Sequence, residues 1–566
     1  MHPSRVISIA LASTLLGACA STPPPASPSA GAPLAIEVPA ITRPGGETPA
    51  WWFRDGAAQA AQRGAMGGTA KNVILFVGDG MSLTTVAAAR ILEGQRNGAP
   101  GEENRLGWET FPATALSRTY NTDSQTPDSA GTMSAMATGV KTRAGVLSIG
   151  QEARLGDCAA ALKTPALTLW ELAASSGLAT GVVTTTRVTH ATPGATFSHS
   201  AHRNWESDAA MARAGEGASG CTDIARQLVE SPFGNGPDVL MGGGRSNFMP
   251  DTQSDPEYPD RRGLRKDGRD LVALWRQRHP QGAYVWNAGQ LAAAPGDQPL
   301  LGLFEPNHMQ YEHDRSQDRA GEPSLAEMTR AAITRLQHNG KGFVLLVEGG
   351  RIDHAHHNGN AYRALTDTIA MSDAVKVADA MTSPGDTLIL VTADHAHTLS
   401  FSGYPLRGNP ILGKVRGSTG EDDAEGAYAR DLLGLPYTTL NYANGPGYTG
   451  ASDVQPAGPK RHPHDARSFK PATGRPDLSA IDTSDPDYMQ EAIAPFGQES
   501  HGGEDVGIWA RGPGSSAVRG SVEQNTIFHF MLQSMPALRA ALCEAGDCDG
   551  NGVPVTLPKP EDFRSR

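Results

Sequence analysis

The chain has 566 residues, 39% hydrophobic and 19% charged, enough for a large buried core and unlike the composition of a disordered chain. Acidic residues outnumber basic ones 60 to 48, a net charge of −12, which argues against a nucleic-acid partner; an anionic substrate would have to be drawn by a local cluster of metal or arginine. Glycine and proline, 65 and 41, promise many turns, and no apolar run reaches the ~18 residues that cross a bilayer as a helix.

Residues 1–18 read as an export signal, with Arg5 ahead of an apolar run from Val6 to Leu16 and small residues before the cut. The ending Leu16-Gly17-Ala18-Cys19 resembles a bacterial lipoprotein signal, which makes Cys19 the expected lipidated residue. An ordinary signal with a chance cysteine is the alternative. Residues 19–48 are rich in Pro, Ser and Ala and are expected to act as a tether. Ala20 is similar to the residue of lipoproteins sorted onward, so the expectation is an exported, lipid-anchored protein at the outer membrane, facing the periplasm or the cell surface.

Along the rest of the chain, short apolar runs stop at polar residues. Val73 to Val77 runs into Gly78-Asp79, Gly181 to Val183 into threonines and His190-Ala-Thr192, Phe343 to Val347 into Glu348, and Thr387 to Val391 into Thr392-Ala-Asp394-His395. Such runs suit strands buried on both faces, and helical patterns over 84–92 and 361–381 separate them. Alternating strands and helices predict an α/β fold, a mostly parallel sheet sandwiched by helices, whose ligands gather at the carboxyl ends of the strands. Three such ends carry Asp79, Glu348 and Asp394, which points to a metal centre.

Between the first two of these runs, Pro127-Asp128-Ser129 precedes small residues that begin a helix, where N–H groups and the dipole favour an anion or an alkoxide. Taken alone, Ser129 reads more simply as an N-cap. The stretch Glu348 to His357 packs a glutamate, an aspartate and three histidines into ten residues, and Asp353 and His357 lie four apart on one helical face. Imidazole and carboxylate are zinc's usual non-sulfur ligands, and His501 could supply a third for one ion. Residues 407–498 are rich in Gly, Pro, Asp and Ser and poor in strand runs; His462 and His464 within them read as solvated loop. Cys543 and Cys548 most simply bridge each other, leaving Cys158 with Cys221; free buried thiols are the alternative.

Together these residues resemble the alkaline phosphatases, more the animal type than the enteric bacterial one. The motifs are Asp128-Ser-Ala-Gly-Thr132, Val347-Glu-Gly-Gly-Arg-Ile-Asp-His354, Thr392-Ala-Asp-His395, Asn204-Trp205, Gly403-Tyr-Pro-Leu-Arg-Gly408 and Gly503-Glu-Asp-Val506. The resemblance implies a catalytic domain over 65–548, a crown-like insertion over about 407–498 that matches poorly, notably from Pro456 to Asp482, and a tail at 549–566. It implies a phosphomonoesterase acting on small phosphate monoesters through a phosphoserine on Ser129, with a lipid anchor and a homodimer as further expectations. One zinc would take Asp353, His357 and His501; a second would take Asp79, Asp394 and His395; a magnesium would share Asp79 and add Thr192 and Glu348, with His190 beside it. Arg203 would clamp the phosphate and Asp128 orient it. A calcium site maps onto Glu257, Phe304, Glu305 and Glu322, where Glu322 replaces the usual aspartate. The two-disulfide arrangement also resembles the animal enzymes.

Two alternatives compete. A diesterase of the same superfamily usually carries threonine where Ser129 stands, and a sulfatase needs a modifiable cysteine that is absent there. A non-catalytic phosphate-binding surface lipoprotein would be expected to lack the nucleophile or a ligand, and none is missing.

Overall fold

The apolar runs become the middle of one ten-stranded sheet. In a computed structural model, which describes residues 34–217, 219–417 and 427–565, its strands are β1 (Asn72–Gly78), β2 (Ala113–Arg118), β3 (Ala179–Arg187), β4 (Val239–Gly243), β5 (Ala283–Val285), β6 (Leu300–Leu303), β7 (Phe343–Gly349), β8 (Thr387–Ala393), β9 (Val506–Arg511) and β10 (Gly520–Glu523). They lie in the order β10-β2-β9-β8-β1-β7-β3-β4-β6-β5. All neighbours run parallel except β9, which is antiparallel to β8 and β2.

Alternate side chains of the central strands feed two cores, as the pleat requires. Val73, Leu75 and Val77 join Leu346, Leu388 and Leu390 under Met133 and Leu169 on one face. Ile74 and Phe76 join Leu345, Val347, Ile389 and Val391 under Leu336 and Leu365 on the other. The helix expected at 84–92 spans Leu83–Arg96, capped by the Ser82 hydroxyl, and the second expected helix spans Ala361–Met381. The sandwich of helices on a mostly parallel sheet is as the pattern predicted.

Three stretches differ from the reading of composition. Cys19 lies outside the described residues, but 34–48, expected to be spacer, lies against the body: Ile36 is buried with Ala57, Ala61, Val553 and Val555, and the Trp51 indole donates to the Pro39 carbonyl. The tail beyond 548 is docked through the same two valines. Isolated apolar residues within a Pro- and Ala-rich run were sufficient for docking. The insertion also has strands: Leu440–Gly445 and Ala492–Pro495 join Leu399–Phe401, which precedes it, in a three-stranded sheet, and Lys460–Arg461 pairs with Tyr488–Met489. His464 is buried, bonded to Ser452 Oγ at 2.8 Å and the Pro446 carbonyl at 2.9 Å, and His462 is half-buried, so neither is solvated loop. Short strands paired across long sequence separations leave little local periodicity to read.

Cys158–Cys221 and Cys543–Cys548 are bonded, with Cα atoms 5.9 and 4.8 Å apart. Among the described residues no helix is long and apolar enough to cross a membrane.

Candidate metal centre and active site

Register places the acids. Gly78 at the end of β1 pairs with Gly349 of β7 and Ala393 of β8, so Asp79 leaves the sheet between Glu348 and Asp394. Because these strands are parallel, all three carboxylates emerge at one edge. Asp79, Glu348 and Asp394 are fully buried.

Ser129 meets them from the helix Ser129–Thr138. The N-cap is Asp128, not Ser129: Asp128 Oδ1 accepts from the Gly131 N–H at 3.1 Å and the Gly145 N–H at 2.9 Å. Relieved of capping, Ser129 Oγ lies 3.1 Å from His395 Nε2 and 3.3 Å from Asp79 Oδ1. His395 Nε2 is in turn 3.3 Å from Asp79 Oδ1 and 3.4 Å from Asp394 Oδ2. A second set lies beside it: Asp353 Oδ1 is 3.3 Å from His357 Nε2 and 3.3 Å from His501 Nε2, and those two nitrogens are 3.2 Å apart. Donors at bond lengths of ~2.0–2.1 Å on a tetrahedral ion stand about 3.3 Å apart, so both sets fit zinc. The helix Arg351–His357 brings Asp353 and His357 to one face, and antiparallel pairing of His501 with His397 returns the distant His501 to the site.

Unpartnered polar atoms mark a third position. Asp79 Oδ2, Thr192 Oγ1 and Glu348 Oε1 are buried without a hydrogen-bond partner, which a folded protein rarely tolerates. Burial, reinforced by Asp394, Asp353 and Glu348, pushes Asp79 well above the usual carboxylate range, and burial pushes Glu348 up to about 7. Oxygen donors of this kind fit magnesium, and the buried Asp79 and Glu348 require cations to remain ionised.

Arg203 Nη1 donates to Asp128 Oδ2 at 3.0 Å and Nη2 lies 3.2 Å from His190 Nε2. Burial would raise Asp128, but Arg203 and the two N–H groups hold it below its ordinary value. Burial and the Arg203 charge hold His190 well below the ordinary histidine range, so its Nε2 can accept. His308 and His354 complete a group of three imidazoles with His190. Arg187, Arg203 and Arg351 surround it, and their charges oppose a further cation there.

Two residues here were not assigned a role from sequence. His397 Nε2 bonds Asp353 Oδ1, the oxygen that faces His357 and His501, at 2.8 Å while its Nδ1 bonds Glu499 Oε2 at 2.5 Å, so the pair holds the ligand carboxylate in place. The alternation His395-Ala-His397 was a signal for the first; Glu499 had none.

A separate acidic nest brings together Glu257, Glu305 and Glu322, with Phe304 beside them in the chain. Sequence reasoning missed Asp318, whose two carboxylate oxygens are buried without a donor. Burial and Asp318 push Glu305 up to about 8 and Glu322 up to about 9.

Residues 70–536 match the family model for alkaline phosphatase. The chain is 44% identical over 473 residues to the tissue-nonspecific alkaline phosphatase of Gallus gallus, covering 82% of this chain and 84% of that one. It is 42% identical over 471 residues to an alkaline phosphatase of Gadus morhua, covering 82% and 91%. Among solved structures it is similar to the alkaline phosphatase of Thermus thermophilus, with 26% identity, a TM-score of 0.57, and 83% and 92% of the two chains covered. That of the Antarctic bacterium TAB5 shares the fold at 20% identity, with a TM-score of 0.52 and 82% and 98% covered; a mutant of it has magnesium bound in its M3 site.

Proposed function

This chain belongs to the alkaline phosphatase family and is a phosphoric monoester hydrolase, and from that premise we propose that Ser129 is the nucleophile and Arg203 the phosphate clamp. The observation that carries the assignment is the Ser129 hydroxyl, uncapped and within 3.3 Å of both Asp79 and His395, at the junction of the donor sets.

Asp353, His357 and His501 would hold one zinc, Asp79, Asp394 and His395 a second, and Asp79, Thr192 and Glu348 a magnesium. These ions supply the positive charge that neutralises the phosphoryl oxygens and eases loss of the serine proton. Ser129 Oγ forms its bond to phosphorus as the ester P–O bond breaks, and the leaving oxygen departs with the electron pair. Water then displaces Ser129 from phosphorus and releases inorganic phosphate, so two in-line displacements return the original configuration. Arg203 offers a planar fork to two non-bridging oxygens, and its bond to Asp128 fixes the plane of that fork before substrate arrives. His190 accepts from the other edge of the guanidinium and restricts it further.

The acidic nest suits calcium, which takes several oxygen ligands, and Asp318 adds a carboxylate to the three expected glutamates. Exposed Phe401, Leu432, Leu433 and Ile493 on and beside the insertion support a homodimer through that face. Cys19 would carry the lipid that anchors the exported chain at the outer membrane.

Hydrolysis of an aryl phosphate by the mature chain, with zinc and magnesium at alkaline pH, tests the assignment, with an aryl phosphodiester alongside. Rapid monoester turnover absent from Ser129→Ala is the expected result. Preference for the diester would overturn the role given to Arg203, and undiminished turnover by Ser129→Ala would overturn the nucleophile.

A further inference from the structure

A groove of ≈ 690 Å³ opens beside the reaction centre, lined by Arg187, Asn204, Glu206, Arg213, Arg261 and Arg262 among others. Four arginines against one glutamate make it strongly positive in a chain whose net charge is −12. The glutamate is already engaged: Glu206 receives both Arg187 Nε and Nη2, at 2.7 and 2.6 Å, and the Thr189 hydroxyl at 2.6 Å. The other three arginines are available. Arg261 lies over the Tyr258 ring at 4.4 Å, Arg262 donates to the Thr252 carbonyl at 3.0 Å, and among the described residues none of Arg213, Arg261 and Arg262 is in an ion pair. Exposed guanidinium groups without carboxylates, gathered in a concave wall, focus field on whatever anion enters.

A chain of contacts links the groove to the phosphate clamp. Asn204 follows Arg203 in the chain, and Arg187 Nη1 contacts His308 Nε2 at 2.5 Å. His308 packs on His190 with ring centroids 5.3 Å apart, and His190 contacts Arg203. Two imidazoles therefore lie between the arginine of the groove and the arginine of the clamp. A leaving group that extended from Ser129 past these rings would carry its far end towards the groove.

From this arrangement we infer that the groove is a subsite for a second phosphate on the leaving group, so that small bisphosphorylated substrates are selected over monophosphates. The inference rests on Ser129 and Arg203 forming the reaction centre, and it adds a substrate class to that reading. Each guanidinium presents N–H pairs to phosphate oxygens, and the site works by charge rather than by shape. Selection should therefore weaken as salt rises, because the three arginines are exposed.

The test compares adenosine 3′,5′-bisphosphate with adenosine 5′-monophosphate, whose leaving groups differ only by the second phosphate, using the metal-loaded mature enzyme. The readout is the ratio of their KM values for first phosphate release. Wild type should favour the bisphosphate, and the Arg213→Ala/Arg261→Ala/Arg262→Ala variant should reduce that preference about tenfold, from three surface charge contacts of modest strength each. Arg261→Glu/Arg262→Glu should reverse the preference. An unchanged ratio in both variants, with aryl phosphate turnover intact, overturns the subsite and leaves the enzyme assignment standing. Wild type that fails to turn over aryl phosphate overturns the reaction centre and the subsite with it.

Discussion

Two clusters of buried carboxylates occupy this molecule, and their neighbours distinguish them. At the strand ends Asp79, Asp353 and Asp394 stand among His357, His395 and His501, with Arg203 facing them. In the nest of Glu257, Glu305, Asp318 and Glu322 there is no imidazole, and one arginine, Arg245, reaches Glu257 at 3.2 Å. Mixed nitrogen and oxygen donors at tetrahedral spacing select zinc, whereas oxygen donors alone suit a hard cation. In the first cluster the Ser129 hydroxyl lies within 3.3 Å of both Asp79 and His395, whereas in the second the hydroxyl is that of Tyr258, which donates to Glu305 Oε1 at 3.2 Å; a primary alcohol among mixed donors suits chemistry, and a phenol tied to a carboxylate suits holding loops together.

The contrast is broken most severely at its catalytic end. Ser129→Ala should lower kcat for an aryl phosphate by at least about 10³-fold, whereas Glu322→Gln should not approach that loss; steady-state kinetics on both proteins decide it. Burial without any countercharge supplies the reference case. His529, fully buried against Phe53, has its pKa pushed down to about 3. The unfolded chain takes up that proton below about 6.5 and the folded chain does not, so the stability it contributes is present above pH 6.5 and lost as pH falls towards 3. That loss amounts to about 5 kcal/mol at most, and His529→Gln should remove it, as read by denaturant melts across that window.

A smaller effect is expected at the clamp. Arg203→Lys keeps the charge but loses the fork, and should reduce kcat/KM by about 10²-fold, or 2–3 kcal/mol, in the same assay. The smallest effect concerns the nest. Calcium added to chelator-stripped protein should raise Tm by a few degrees, and Glu322→Gln should abolish that rise, measured by calorimetry. If calcium instead restored turnover, or zinc alone restored stability, the division of labour between the clusters would fail.

Much of the centre was legible because its residues cap predictable elements. Apolar runs announced β1, β7 and β8, and the acids at their ends followed. Asp353 and His357 declared themselves by helical spacing. His397 was announced only by its alternation with His395, and Glu499 not at all, because His397 reaches Asp353 from a strand of two residues and Glu499 reaches His397 from a loop distant in sequence. Asp318 was hidden for a similar reason: it joins the nest from an irregular connection, where no periodicity says which side chains turn inward. The insertion misled through composition, since its strands are too short to leave a pattern.

The sequence by itself determined the sheet, the motif order and the donor types, because hydrophobic periodicity and ligand chemistry are local properties. Only the tertiary structure decided that Asp128 takes the cap and leaves Ser129 free, and that His501 returns to Asp353. It also decided that Arg213, at a helix end, and Arg261 and Arg262, in one loop, share one groove. Each of these depends on distances between segments far apart in the chain, which packing fixes and local sequence does not.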